Sequence, residues 1–255
     1  MSASAETARR AIGLLDLTEL GETASDADVR ALCERATGGG SIPPVAATCV
    51  WMRHARLARS LLPAGIRVAT VINFPAGTAP LADVLAEAAG AVSQGADEVD
   101  LVMPYRAFLA GDHDTAADMI AAVRAALPAG IRLKVILETS LYPDGAAIRA
   151  ASDLAIRAGA DFIKTSTGKV TGGASLDAVR AMLEAIKASG GPVGLKPSGG
   201  IRTLADAAGY LALADQCMGT GWATPATFRF GASGLHAALA AELTGEAAQP
   251  KQTGY

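Results

Sequence analysis

Two lysines and an aspartate are the residues of this chain whose types and spacing point most directly to chemistry. Lys164 and Lys196 each stand at the end of a short apolar run that reads as a strand, and Asp100 lies within a third such run, DEVDLVMPYR. Only a neutral amine attacks a carbonyl, and a free lysine with a pKa near 10.4 is neutral in about one molecule in 2,500 at pH 7. A single strand-end lysine reads most simply as an ammonium reaching water along its aliphatic stem. Two on adjacent strands read differently, because each cation lowers the other's affinity for its proton. A neighbouring cation and partial burial that lower the pKa by about 3 units, roughly 4 kcal/mol, make the amine available at neutral pH. Once attached, a protonated imine withdraws electrons from the adjoining carbon. A C–C bond beyond it can then break to leave an enamine, with no metal required. Asp100 is the best-placed group to move protons between carbinolamine, imine and enamine. Its alternative reading is a buried aspartate that satisfies strand backbone.

Glycine-rich turns follow the last three candidate strands, in TSTGK, KPSGGIRT and RFGASGL. Gly199, Gly200 and Arg202 in one turn, Gly231 and Ser233 in another, and Gly168 with Lys169 in the third fit a phosphate held by backbone N–H groups at helix starts. TSTGK is not a nucleotide P-loop, because the glycine required five residues before Gly168 is Ile163.

These residues need a scaffold that brings strand ends together. Eight short runs read as strands, at 12–16, 45–50, 68–73, 98–103, 133–137, 161–165, 193–196 and 228–232. Between them lie Ala-rich stretches with helical spacing, such as 80–94, 116–126, 146–158 and 176–189. Glycines in QGAD and AGAD mark left-handed helix caps before strands four and six. Eight βα units predict an α/β fold, a closed (β/α)8 TIM barrel in a single domain over 1–255, with 1–11 and 244–255 as flexible ends. Asp16 and Thr18 at the first strand, Asp100 on the fourth, Lys164 on the sixth and Lys196 on the seventh would then converge on one mouth.

Composition excludes several other roles. With 51% apolar and 18% charged residues, the 255-residue chain can cover a parallel sheet on both faces. A net charge of -3 offers no broad cationic surface for nucleic acid. No run approaches the ~20 apolar residues of a membrane span. Cys33, Cys49 and Cys217 are scattered, form no CxxC pair and read as reduced thiols of a cytoplasmic protein. Cys49 reads as buried and inert. His54, His113 and His236 show no metal-ligand spacing and read as surface or helix residues.

The stretches LLDLTEL, GADEVDLVMPYRAFLAG, LKVILETS, AGADFIKTSTGK, GLKPSGGIRT and RFGASGL occur in the order in which they stand in one family. Over residues 12 to 240 the chain resembles the deoxyribose-phosphate aldolases. The resemblance implies a class I aldolase that interconverts 2-deoxy-D-ribose 5-phosphate with D-glyceraldehyde 3-phosphate and acetaldehyde, without a cofactor. It implies Lys164 as the Schiff-base lysine, Lys196 as the second lysine that perturbs it and Asp100 as the proton relay. Asp16 and Thr18 would meet the sugar hydroxyl region. Thr167, Gly168, Lys169, Gly199, Gly200, Arg202, Gly231 and Ser233 would hold the phosphate end. It further implies a homo-oligomer, dimer or tetramer, and a terminal Tyr255 carried to the site by a flexible tail.

Two positions depart from the family pattern. Gly234 replaces a second serine in the phosphate turn, which removes one side-chain contact, and Trp51-Met52 stands where a Tyr-Pro pair is expected. Two alternatives stay open: another Schiff-base aldolase, acting on a keto acid or a fructose phosphate, and a catalytically silent barrel that binds a phosphosugar.

Overall fold

A parallel strand that is apolar on one face and charged on the other needs helices outside it and ionic partners inside it. The computed structural model of the chain, which describes residues 2–245, meets both needs. Its first half runs α1 (Ala3–Gly13), β1 (Leu15–Glu19), α2 (Asp26–Thr37), β2 (Ala47–Val50), α3 (Met52–Leu61), β3 (Arg67–Ile72), α4 (Leu81–Ser93) and β4 (Glu98–Val102). Two helices follow, α5 (Tyr105–Leu109) and α6 (His113–Ala126), and then β5 (Arg132–Ile136), α7 (Gly145–Arg157) and β6 (Phe162–Lys164). The chain continues through α8 (Leu176–Ser189), β7 (Gly194–Lys196), α9 (Leu204–Met218), β8 (Phe230–Ala232) and α10 (Leu235–Thr244).

The eight strands pair in parallel in the order β7-β6-β5-β4-β3-β2-β1-β8. Parallel bridges Leu195↔Phe228 and Ser198↔Gly231 join the two ends of that order. The expected (β/α)8 barrel is therefore present. Outward-facing Leu17, Val68, Leu101, Val135, Ile163 and Leu195 form the main core beneath the helices.

Seven of the expected strands lie within two residues of their observed bounds, but the first does not. The run 12–16 was expected as strand one, whereas Ile12 belongs to α1 and the strand starts at Leu15. Ala8, Ala11 and Ile12 are all buried at helical spacing, so a helical stripe outweighs the β-branched character of Ile12. Helix α1 thus runs through most of 1–11, the segment expected as a flexible end. Ser2 caps α1 through the Ala5 N–H, and Arg10 donates twice to Asp215 of α9, each at 2.7 Å. At the other end, Thr244 closes α10, and residues 246–255, with Tyr255, lie outside the described residues.

One element-scale device recurs. The sequence LPAGIR occurs at 62–67 and again at 127–132, each time leading into a strand. Arg59 of α3 donates to the carbonyls of Leu62 and Ile66 and to Asp97, which accepts from the N–H of Val68 at 2.8 Å. Arg124 of α6 repeats each contact with Leu127, Ile131 and Asp161, and Asp161 accepts from the N–H of Leu133, again at 2.8 Å. Each Asp is the one that follows a left-handed cap, Gly95 (φ 83°) or Gly159 (φ 104°). The cap thus sets where the next strand begins and supplies a clamp for the strand before it.

Candidate active site

Alternation along the strands decides which charges meet inside the barrel. Glu98 and Asp100 are two residues apart on β4 and share one face. Register sets Asp100 beside Lys134 of β5 and Lys164 beside Lys196 of β7. Asp16 of β1 pairs with Gly231 of β8, where Arg229 is two residues away on the same face. None of these seven charged residues is more than 3% exposed.

Asp100 is the hub. Lys164 Nζ donates to its Oδ2 at 2.9 Å, Lys196 Nζ donates to the same oxygen at 2.7 Å, and Lys134 Nζ donates to Oδ1 at 2.7 Å. Lys196 also lies 2.6 Å from Asp16 Oδ2. Below them Arg229 donates to Asp16 at 2.6 Å and to Glu98 Oε1 at 2.9 Å, while Lys134 lies 2.7 Å from Glu98 and 3.5 Å from Asp16.

The surroundings separate the lysines. Burial holds Lys164 below the ordinary lysine value; Asp100 opposes that shift and the Lys196 charge reinforces it. Burial acts on Lys196 and Lys134 in the same sense, but their carboxylates outweigh it. Asp100 and Asp16 raise Lys196, and Asp100, Glu98 and Asp16 raise Lys134. Burial would raise Asp100, and the three lysines reverse this and hold it well below the usual carboxylate range. The neighbouring cation was expected to free the Lys164 amine together with partial burial. Burial is nearly complete here and contributes more than the neighbour does.

The three glycine turns meet above the cluster. A Cβ on Gly199 (φ 88°) would stand 3.0 Å from the Gly173 Cα and 3.6 Å from that of Gly168. A Cβ on Gly231 would stand 2.6 Å from Ser198 Oγ and 3.0 Å from Lys196 Cε, so glycine there keeps the eighth strand against the lysine. The Lys169 ammonium reaches across to the Leu20 carbonyl at 3.2 Å. Arg202 and Ser233 are exposed at the starts of α9 and α10, and Gly234 takes the cap position of α10. Thr18 is half-buried and donates to the Asp16 carbonyl. Against the charged side stands an apolar wall of Leu20, Cys49, Ala69 and Val71, flanked by Trp51 and Phe74. Cys49 is buried, and burial pushes its thiol up.

Lys134, Glu98 and Arg229 were not singled out in the sequence, although each carries a signal there. A charge inside runs such as LKVIL or FRF must find a buried partner. Glu138 was missed as well. It sits in the left-handed region (φ 61°), and its carboxylate accepts from the N–H and hydroxyl of Thr167, holding the loop that leads to Gly168. His54 and His236 prove to be buried helix residues, and His113 opens α6. Among the described residues no group of three or more His, Cys, Asp or Glu is disposed to hold a metal ion. Among the described residues no helix is long and apolar enough to cross a membrane.

Comparison with known proteins gives the chain's family and fold relatives. Residues 10–235 match the family model described as DeoC/LacD family aldolase. The chain is 52% identical over 233 residues to the deoxyribose-phosphate aldolase of Agrobacterium fabrum, covering 90% of this chain and 89% of the relative. The tetrameric deoxyribose phosphate aldolase of Aeropyrum pernix superposes with a TM-score of 0.71 at 26% identity, covering 94% of this chain and 98% of that one. A solved Toxoplasma gondii structure superposes at 0.84 with 25% identity, covering 95% and 98%.

Proposed function

The chain belongs to the DeoC/LacD aldolase family, and from that premise we propose how its residues divide the work. The protein is a deoxyribose-phosphate aldolase, cleaving 2-deoxy-D-ribose 5-phosphate to D-glyceraldehyde 3-phosphate and acetaldehyde, reversibly, through a lysine Schiff base. In our reading Lys164 is that lysine. Its neutral amine adds to the C1 aldehyde of the open-chain sugar, and loss of water leaves a protonated imine. The C3 hydroxyl gives up its proton and becomes the carbonyl of D-glyceraldehyde 3-phosphate, which departs as the C2–C3 bond breaks; that bond's electron pair becomes the C1–C2 double bond of the enamine, and the imine π pair passes to nitrogen. Proton return to C2 and hydrolysis release acetaldehyde and restore the amine.

The observation that carries this assignment is the single Asp100 oxygen that accepts from both Lys164 and Lys196. That oxygen can take a proton from one ammonium and return it through the other, which is what carbinolamine, imine and enamine each need in turn. Asp16 steadies Lys196 from its other side and reaches the sugar hydroxyl region through it, next to Thr18. Thr167, Gly168, Lys169, Gly199, Gly200, Arg202, Gly231 and Ser233 hold the phosphate, with the N–H groups at the start of α10 adding the positive end of a helix. The apolar wall around Cys49 takes the two-carbon end of the sugar.

The 255-residue chain acts as one domain, and the tetrameric Aeropyrum pernix relative supports a homo-oligomer. Three scattered cysteines support a cytoplasmic location. Retro-aldol assays on deoxyribose 5-phosphate, fructose phosphates and keto-acid aldols test the substrate assignment. Turnover is expected with the first, and comparable kcat/KM with either of the others would overturn the assignment.

A further inference from the structure

We propose that the Glu98–Arg229 ion pair on the floor of the barrel is a positioning element for the reaction. It sets how the carboxylates of the buried cluster are divided among its cations, so that Lys164 is the cation left without a carboxylate of its own. The inference rests on Lys164 being the imine-forming residue.

Three carboxylates, Asp16, Glu98 and Asp100, face four cations, Lys134, Lys164, Lys196 and Arg229, through contacts of 2.6 to 3.5 Å. With every group ionised the cluster carries one surplus positive charge, in a place where water screens little of it. Loss of one proton removes the surplus, and the geometry selects the group that loses it. A guanidinium does not give up its proton. Lys134 touches three carboxylates and Lys196 touches two. Lys164 touches one, on an oxygen it shares with Lys196.

Glu98 and Arg229 enter this count without touching Lys164. Arg229 occupies Asp16 Oδ1 and Glu98 Oε1, and Lys134 divides itself between Glu98 and Asp100. Removing Arg229 would return Asp16 and Glu98 to Lys196 and Lys134, loosen both from Asp100, and leave Asp100 to Lys164. Removing the Glu98 charge would do the reverse. The other groups around Lys164 do not change the sum. Cys49 of β2 is buried and keeps its proton, and Arg132, 3.5 Å from Glu98, is one-third exposed and screened by solvent.

The test is the pH dependence of kcat/KM in the unaltered full chain and in Arg229→Gln, Glu98→Gln and Arg229→Lys, with borohydride trapping of each. Arg229→Gln is expected to move the acid limb to higher pH by about one unit, the effect of a unit charge at roughly 10 Å and an effective dielectric near 20. Glu98→Gln is expected to move it to lower pH by a similar amount, and Arg229→Lys to leave it in place. A merely structural pair would slow turnover without moving the limb in opposite directions. Limbs that stay in place, or that move together, overturn the proposal. Should Arg229→Gln fail to fold, the direction of Glu98→Gln decides alone. Absence of a Lys164 adduct in the unaltered protein would instead remove the reading on which the proposal rests.

Discussion

At the residue scale the site depends on one carboxylate serving three lysines. Lys164→Ala removes the nucleophile, and turnover and borohydride-trapped adduct are both expected to vanish. Lys196→Leu frees the shared Asp100 oxygen for Lys164 and removes a like charge, so the proton affinity of Lys164 rises. Because the neutral amine is the reactive form, the acid limb of the rate profile moves to higher pH; a profile superposable on the parent's would contradict the coupling. Asp100→Asn is expected to lower kcat by about 10²- to 10⁴-fold, the usual size of a proton-transfer contribution, with inhibition by inorganic phosphate little changed. It also leaves ammonium groups uncompensated in the interior, which costs about 3–5 kcal/mol on chemical denaturation. The sequence displayed Lys164, Lys196 and Asp100, because each lysine ends its strand and Asp100 lies within a third strand-like run. It did not display the partners. That Lys134 binds Asp100, and Arg229 binds Asp16, follows from strand registers that no local pattern reports.

At the element scale, strands punctuated by glycine are legible in the sequence, and a helix that begins with small residues is not. Capping glycines before Asp97 and Asp161 give β4 and β6 clear starts, and both were placed to within a residue of their observed beginnings. The segment before β1 carries its buried stripe on Ala8, Ala11 and Ile12, too little apolar bulk to stand out against neighbouring Arg9 and Arg10. Ile12→Ala tests the correction. A loose terminus would tolerate it, whereas packed α1 is expected to lose about 2–4 kcal/mol in urea unfolding. The LPAGIR repeat makes a second demand. Arg124→Met breaks the clamp on Asp161 and two carbonyls, and its part-exposed charge makes the expected loss about 1–2 kcal/mol, with kcat unaffected because the clamp lies away from the lysines.

At the scale of the whole molecule the barrel encloses a charged interior and an apolar exterior shell, and this inversion ties stability to pH. Burial alone would raise Asp16, Glu98 and Asp100, and their cations reverse that and hold all three low. A carboxylate depressed in the folded state contributes stability above its unfolded value, near 4, and that contribution is lost as pH falls through the folded value. The melting temperature is therefore expected to drop steeply below about pH 4, and less steeply in Glu98→Gln, which removes one of the three. The barrel, its strand count and the mouth that gathers the lysines were all legible from eight punctuated βα units, while the filling of its floor was not, since it depends on which inward faces meet after closure. The most direct test of the account is mass spectrometry of peptides from protein reduced with borohydride in the presence of deoxyribose 5-phosphate. One modified peptide is expected, with the reduced adduct on Lys164; an adduct on Lys196 or Lys134, or none, would overturn the assignment of the nucleophile.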